Sequence, residues 1–217
     1  MPGFRVCFPI SVNPRMSGSG LIARILPLVL TVVTGTALGV GSAWWSVRHG
    51  GLAESQFRVG PWEGSLLAGS PSADLYTRAR VAVVGLLALD RRETVYFIAR
   101  TDSAGQALLS RCQYRIDGVA PSARWWSLTA YADDHFLFDA PQGRFSLNGA
   151  LATLDTRGEF HLRTGPEAGA EPGTDHWLPT PGDRGLELTL RLYHPSKALQ
   201  QNPQMLIAPT IERVGAC

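Results

Sequence analysis

The sequence predicts a mainly β protein: a jelly-roll-like β-sandwich with one amphipathic helix, preceded by one N-terminal transmembrane helix. Three observations predict it. A run without charge extends from Ile25 to Val47, one later stretch repeats apolar residues at helical spacing, and the remainder breaks into short alternating runs divided by Gly, Pro and Asp. The expected division is a cytoplasmic N-terminal segment at 1–24, a membrane helix at 25–47, a linker at 48–72 and a sandwich domain at 73–217.

The stretch "ILPLVLTVVTGTALGVGSAWW" matches the roughly 20 residues needed to cross a hydrocarbon core. Pro27 is expected in its first turn, and Trp44 and Trp45 fall where an indole keeps its ring in the acyl boundary and its N–H in water. Arg5, Arg15 and Arg24 precede the run, so the N-terminus is expected in the cytoplasm and the domain facing outward, anchored by a single pass. A cleaved signal peptide is the alternative. The length of the run, its bulky end and a poor small-residue site around Gly39 to Ala43 favour retention.

That division also reassigns the charge. Residues 1–48 hold four arginines and no acid, which leaves 16 of the 20 Lys and Arg against all 18 acids beyond them. The domain is therefore slightly acidic, and nucleic acid is not an expected partner. Cys7 precedes the helix, whereas Cys112 and Cys217 both follow it, on the side where disulfides persist. The two are a candidate bridge, with two unrelated thiols as the alternative.

In "SADLYTRARVAVVGLLALDRRE", Ser72 is the expected N-cap, and Leu75, Ala79, Ala82, Val83, Leu86 and Leu87 form the expected buried stripe. Strands are expected at "ETVYFIAR", "CQYRI", "RWWSLTAY", "HFLF", "RFSL", "EFHLR", "LELTLRLY" and "TIERV". Alternation sends Leu186, Leu188, Leu190 and Leu192 to one face and Glu187, Thr189, Arg191 and Tyr193 to the other. The same rule sends Trp126 and Leu128 to the core. Trp125, Ser127, Thr129 and Tyr131 then share the opposite face, beside Arg191 and Tyr193 if the two strands lie in one sheet. Rings, hydroxyls and a guanidinium suit sugar rings or carboxylates, because an aromatic face accepts C–H surface and Arg binds oxyanions in bidentate fashion. The alternative is that both faces are covered. Trp177, in "HWLPTPG", is expected to anchor an extended ledge whose prolines exclude a central strand.

No catalytic motif stands out: there is no GxSxG, phosphate loop or dinucleotide fingerprint, and no cofactor is expected. His135, His161, His176 and His194, with Asp133, Asp134 and Asp175, show no metal-ligand spacing, and no metal site is expected. Asp133 with Glu187 or Glu159 would be the carboxylate pair of a glycosidase if their separation allowed it.

Taken in order, "GPWEG", "ADLYTRARVAVVGLLAL", "ETVYFIARTDSAGQAL", "CQYRIDG", "PSARWWSLTAYADD", "HWLPTP" and "LTLRLYHPS" resemble the bacterial family catalogued as domain of unknown function 1214, in its short membrane-anchored form. The resemblance implies a jelly-roll sandwich, a companion protein carrying domain of unknown function 1254 and, since the family is bacterial, the bacterial inner membrane as the anchoring membrane and the periplasm as the outer side. It brings no catalytic residues. The expected function is a membrane-anchored binding or assembly module working with that companion; the rival is an envelope enzyme acting on a glycan or other polar substrate.

Overall fold

The computed structural model describes residues 19–49, 56–83, 87–140, 143–166, 176–215 and 217. Arg5, Cys7, Arg15, Leu86 and Asp175 lie outside them. The chain divides into two units, Met1–Arg48 and His49–Cys217.

The first unit holds helix α1, Ser19–His49, whose stretch Arg24–Val47 is long and apolar enough to cross a membrane. The helix starts earlier than the charge pattern suggests, so Pro27 sits inside it rather than in its first turn, and Thr31 Oγ1 donates to the Pro27 carbonyl at 2.8 Å. A small hydroxyl bonding back one turn is a common neighbour of irregular helix backbone in apolar surroundings. Trp44 and Trp45 are exposed near its C-terminal end.

The second unit is a two-sheet β-sandwich. Its strands are β1 (Gln56–Val59), β2 (Trp62–Ser65), β3 (Thr94–Ala99), β4 (Tyr114–Val119), β5 (Ala123–Ala132), β6 (Ser146–Asn148), β7 (Glu159–Gly165), β8 (His176–Pro179), β9 (Leu186–Pro195) and β10 (Thr210–Arg213). The larger sheet runs β1-β2-β3-β9-β5-β6 and the smaller β10-β4-β7-β8. Every pairing is antiparallel except β7 with β8. Leu186, Leu188, Leu190 and Leu192 are all buried between the sheets, as their alternation predicts. Across the interface Trp126 of β5 stacks on Phe160 of β7, ring centroids 4.8 Å apart. That contact ties the two layers with the large area aromatic pairs bury.

Three expectations change. Strands β1 and β2 lie within the stretch read as linker, and Trp62 is fully buried, its Nε1 donating to the Pro209 carbonyl at 2.7 Å. Two glycines in this stretch are fold requirements. Gly60 takes φ +57° in the β1–β2 turn, and a Cβ on Gly64 would collide with the Phe57 ring and the Tyr96 carbonyl.

"HFLF" is the second change. It forms no strand: Asp133 and Asp134 turn the chain, the Asp134 carboxylate accepts the Phe136 N–H, and Leu137 makes a single antiparallel bridge back to Tyr131, with Phe136 exposed and Phe138 buried.

The third is helix α2, Leu75–Val83. Asp74 rather than Ser72 caps it, accepting the N–H groups of Tyr76 at 2.8 Å and Thr77 at 3.1 Å. Its expected core stripe is turned outward. Leu75 and Val83 are exposed, as is Leu87 beyond the helix, while Thr77 is the buried residue of α2, its hydroxyl on Asp74 at 2.6 Å. The capping carboxylate thus draws a polar side chain inward.

Candidate functional site

Strand β9 is central, paired with β3 on one side and β5 on the other. Register brings Trp125 opposite Tyr193, Ser127 opposite Arg191, Thr129 opposite Thr189 and Tyr131 opposite Glu187. Because Val95, Phe97 and Leu190 face the core, Thr94, Tyr96 and Ile98 extend the same outer surface across β3. Six of the seven residues singled out from sequence therefore lie on one face of one sheet. Trp177 does not. It sits on the edge strand β8 of the other sheet, half-buried, and a Cβ on Gly165 would come within 3.1 Å of its ring.

Arg191 organises this face. Its Nη1 donates to Thr129 Oγ1 at 3.3 Å and its Nη2 to the Tyr131 hydroxyl at 3.0 Å, with the guanidinium carbon 5.3 Å from the Tyr131 ring centre. Beneath it Ser127 and Thr129 are each 6% exposed. Arg58, Arg92, Arg100, Arg111, Arg115, Arg157 and Arg184 each meet a carboxylate; Arg191, half-buried, has none among the described residues. Two of its five N–H donors are used, so the fork retains capacity for an oxyanion. Trp125, 40% exposed, leans on Tyr193 with ring centroids 5.0 Å apart and planes at 51°. Beside them the Thr94 hydroxyl is buried without a hydrogen-bond partner.

Sequence reasoning did not assemble the other end of this face. Glu187, 4% exposed, pairs with Arg100 at 2.6 Å, and Arg100 also reaches Glu63 at 2.8 Å. His135, held at φ 67°, places Nδ1 3.8 Å from Glu187. Glu187 alternates with Arg191 on β9, a legible signal; Arg100 and His135 come from a strand end and a turn, which alternation does not reach. Asp133 and Asp134 engage Arg184 instead of joining Glu187, and Glu159 lies in the smaller sheet.

A separate cluster occupies the outer face of the smaller sheet. The ligand atoms of Asp155, Glu159 and His161 lie within 4.8 Å of one another. Arg157 already pairs with Asp155 at 3.2 Å and with Glu159 at 2.8 Å, while His161 Nδ1 is 2.8 Å from Asp117. The arrangement is that of an ionic network. The backbone N–H of Glu159, with that of Arg157, holds Asp155 down to about 2, and the hydrogen bond to Asp117 raises His161 above the ordinary imidazole range. A raised imidazole stabilises the fold fully below its unfolded pKa and loses that contribution as pH rises through the folded one; the depressed Asp155 contributes above its unfolded value and is lost only near pH 2. Unfolding midpoints are therefore expected to fall as pH rises through the raised imidazole titration, and His161→Gln to flatten that slope. An unchanged slope in the variant would place the titration elsewhere.

Fold and surface together define a β-sandwich domain carried behind an apolar N-terminal helix, with a polar aromatic face on its larger sheet. Residues 93–197 match the family described as protein of unknown function DUF1214. Among solved structures, the VPA0106 protein of Vibrio parahaemolyticus shares the fold at 22% identity and TM-score 0.53, over 66% of this chain and 36% of that one. An uncharacterised Burkholderia cenocepacia protein aligns at 15% identity and TM-score 0.42, over 56% of this chain and 29% of that one. The chain thus spans about a third of the length of these solved relatives. No curated protein matches it.

Proposed function

We propose that the protein is a single-pass, inner-membrane-anchored binding module of the bacterial envelope, its sandwich facing the periplasm. The outer face of the larger sheet is its recognition surface. The observation that carries this is Arg191, a half-buried guanidinium with no carboxylate among the described residues, set beside the Trp125–Tyr193 pair. The ligand class that fits is a carboxylate-bearing saccharide or a similar ring-containing anion, with its ring against Trp125 and its oxyanion on Arg191. From the family resemblance we further propose that the protein works with a companion carrying domain of unknown function 1254.

Titration of the full-length protein in lipid nanodiscs with uronate-containing and neutral oligosaccharides tests this. Preference for the uronate is expected, with Arg191→Met weakening it at least tenfold, roughly the effect of one charge-assisted contact. Arg191→Lys restores only part, because a point charge does not reproduce the fork. Equal affinity of the wild type and Arg191→Met would reject Arg191 as the anion site. The enzymatic alternative has one observation in its favour, the Glu187–His135 approach on the same face. Turnover of the oligosaccharide that Glu187→Gln abolishes would establish it.

A further inference from the structure

The apolar side of α2 points away from the sandwich that carries it. At 100° per residue Leu75, Ala79, Ala82 and Val83 share a stripe about 100° wide with Tyr76 at its margin, which is the width of a buried helix face. Yet Leu75 is 80% exposed, Val83 56% and Tyr76 50%, and Leu87 beyond the helix is 93% exposed. Arg78 and Arg80 flank the stripe, one on each side, and the helix contains no acid. Arg78 is braced by the Ala73 and Pro71 carbonyls at 2.9 and 2.8 Å.

We propose that α2 lies in the headgroup region of the membrane that anchors the chain, its stripe among the acyl ends and its two arginines on anionic headgroups. The inference rests on the reading of α1 as a retained anchor. Two observations select a lipid surface. An apolar stripe bordered by cations and free of acids is the pattern of an in-plane interfacial helix, whereas the same stripe on a two-fold second copy would bring arginines against arginines. The chain also permits the contact: six residues separate His49, the end of α1, from Gln56, the start of β1. Even fully extended they span only about 3.6 Å each, so β1 cannot begin more than about 25 Å from the end of the anchor.

The test uses the full-length protein in nanodiscs containing phosphatidylglycerol, on a Cys7→Ser background; Cys112 and Cys217, which the fold joins in a disulfide, are retained. An environment-sensitive fluorophore is placed in turn at Leu75→Cys, Val83→Cys, Val33→Cys within α1, and Ile207→Cys on an exposed part of the sandwich. Headgroup-level spin-labelled lipid is expected to quench Leu75 and Val83 labels several-fold more than the Ile207 label, and deep spin label to quench Val33. Arg78→Glu with Arg80→Glu, or discs of phosphatidylcholine alone, should reduce the α2 quenching several-fold. A Val33 label that stays unquenched overturns the anchor and this inference together. A quenched Val33 with α2 labels no different from Ile207 overturns the inference alone, as does cross-linking of Val83→Cys between copies. Equal α2 quenching in neutral discs overturns the role given to the arginines.

Discussion

Trp62→Ala is expected to destabilise the sandwich by about 3–5 kcal/mol, among the largest single effects in this chain. Trp62 is fully buried among core residues of the larger sheet, on a strand that pairs directly with β3. Its removal leaves a cavity of a size such cores do not close, and it strips the Pro209 carbonyl of its donor. Trp62→Phe separates the two contributions: it keeps most of the ring contact and loses the N–H, and about 1–2 kcal/mol is expected. Guanidinium denaturation of the detergent-solubilised protein, followed by near-ultraviolet circular dichroism, reads both. A loss below about 1 kcal/mol for the alanine variant would show that β1 and β2 are an accessory to the fold and not part of its core.

The second large effect concerns the bridge. Cys112 and Cys217 are joined, 105 residues apart in sequence, with Cys112 fully buried beside β4. Tying Cys217 back over so long a loop restricts the unfolded ensemble, and Cys112→Ala with Cys217→Ala should cost about 2–5 kcal/mol. Reductant should lower the unfolding midpoint of the wild type by the same amount and leave the double variant unmoved. Protein retained in a reducing compartment should behave like the variant, which links this bond to the proposed periplasmic side. If reductant does not shift the wild type, the closed loop contributes nothing to stability.

Where alternation was strict, the sequence could be read residue by residue. The leucines of β9 and the Trp126–Leu128 side of β5 face the core because a strand inverts its side chains at each step, and the same step brings Trp125, Ser127, Thr129 and Tyr131 to the face of Arg191. The 48–72 stretch reads as linker because Gly60 and Gly64, which serve a hairpin turn and a close packing contact, carry no apolar alternation of their own. Periodicity identified α2 but assigned it the wrong side. An apolar stripe specifies what a helix can bury, not which surface receives it, and Thr77 with Asp74 decides the inward side here. The Glu187–Arg100–His135 grouping was not legible because two of its members lie where regular strands end.

The double use of β9 limits how this domain can change over time. On the proposed recognition surface, substitutions at the partly exposed Arg191 or Tyr193 would alter the ligand preference while the leucine side stays whole, whereas Glu187 and Thr189, both buried, are held to the fold as well. Loss or gain of one residue within the strand has the opposite character. It would carry the four leucines into solvent and press a carboxylate and a guanidinium into the core in a single step. Relatives with altered ligands should therefore differ in β9 by replacement, with length variation confined to the turns at either end.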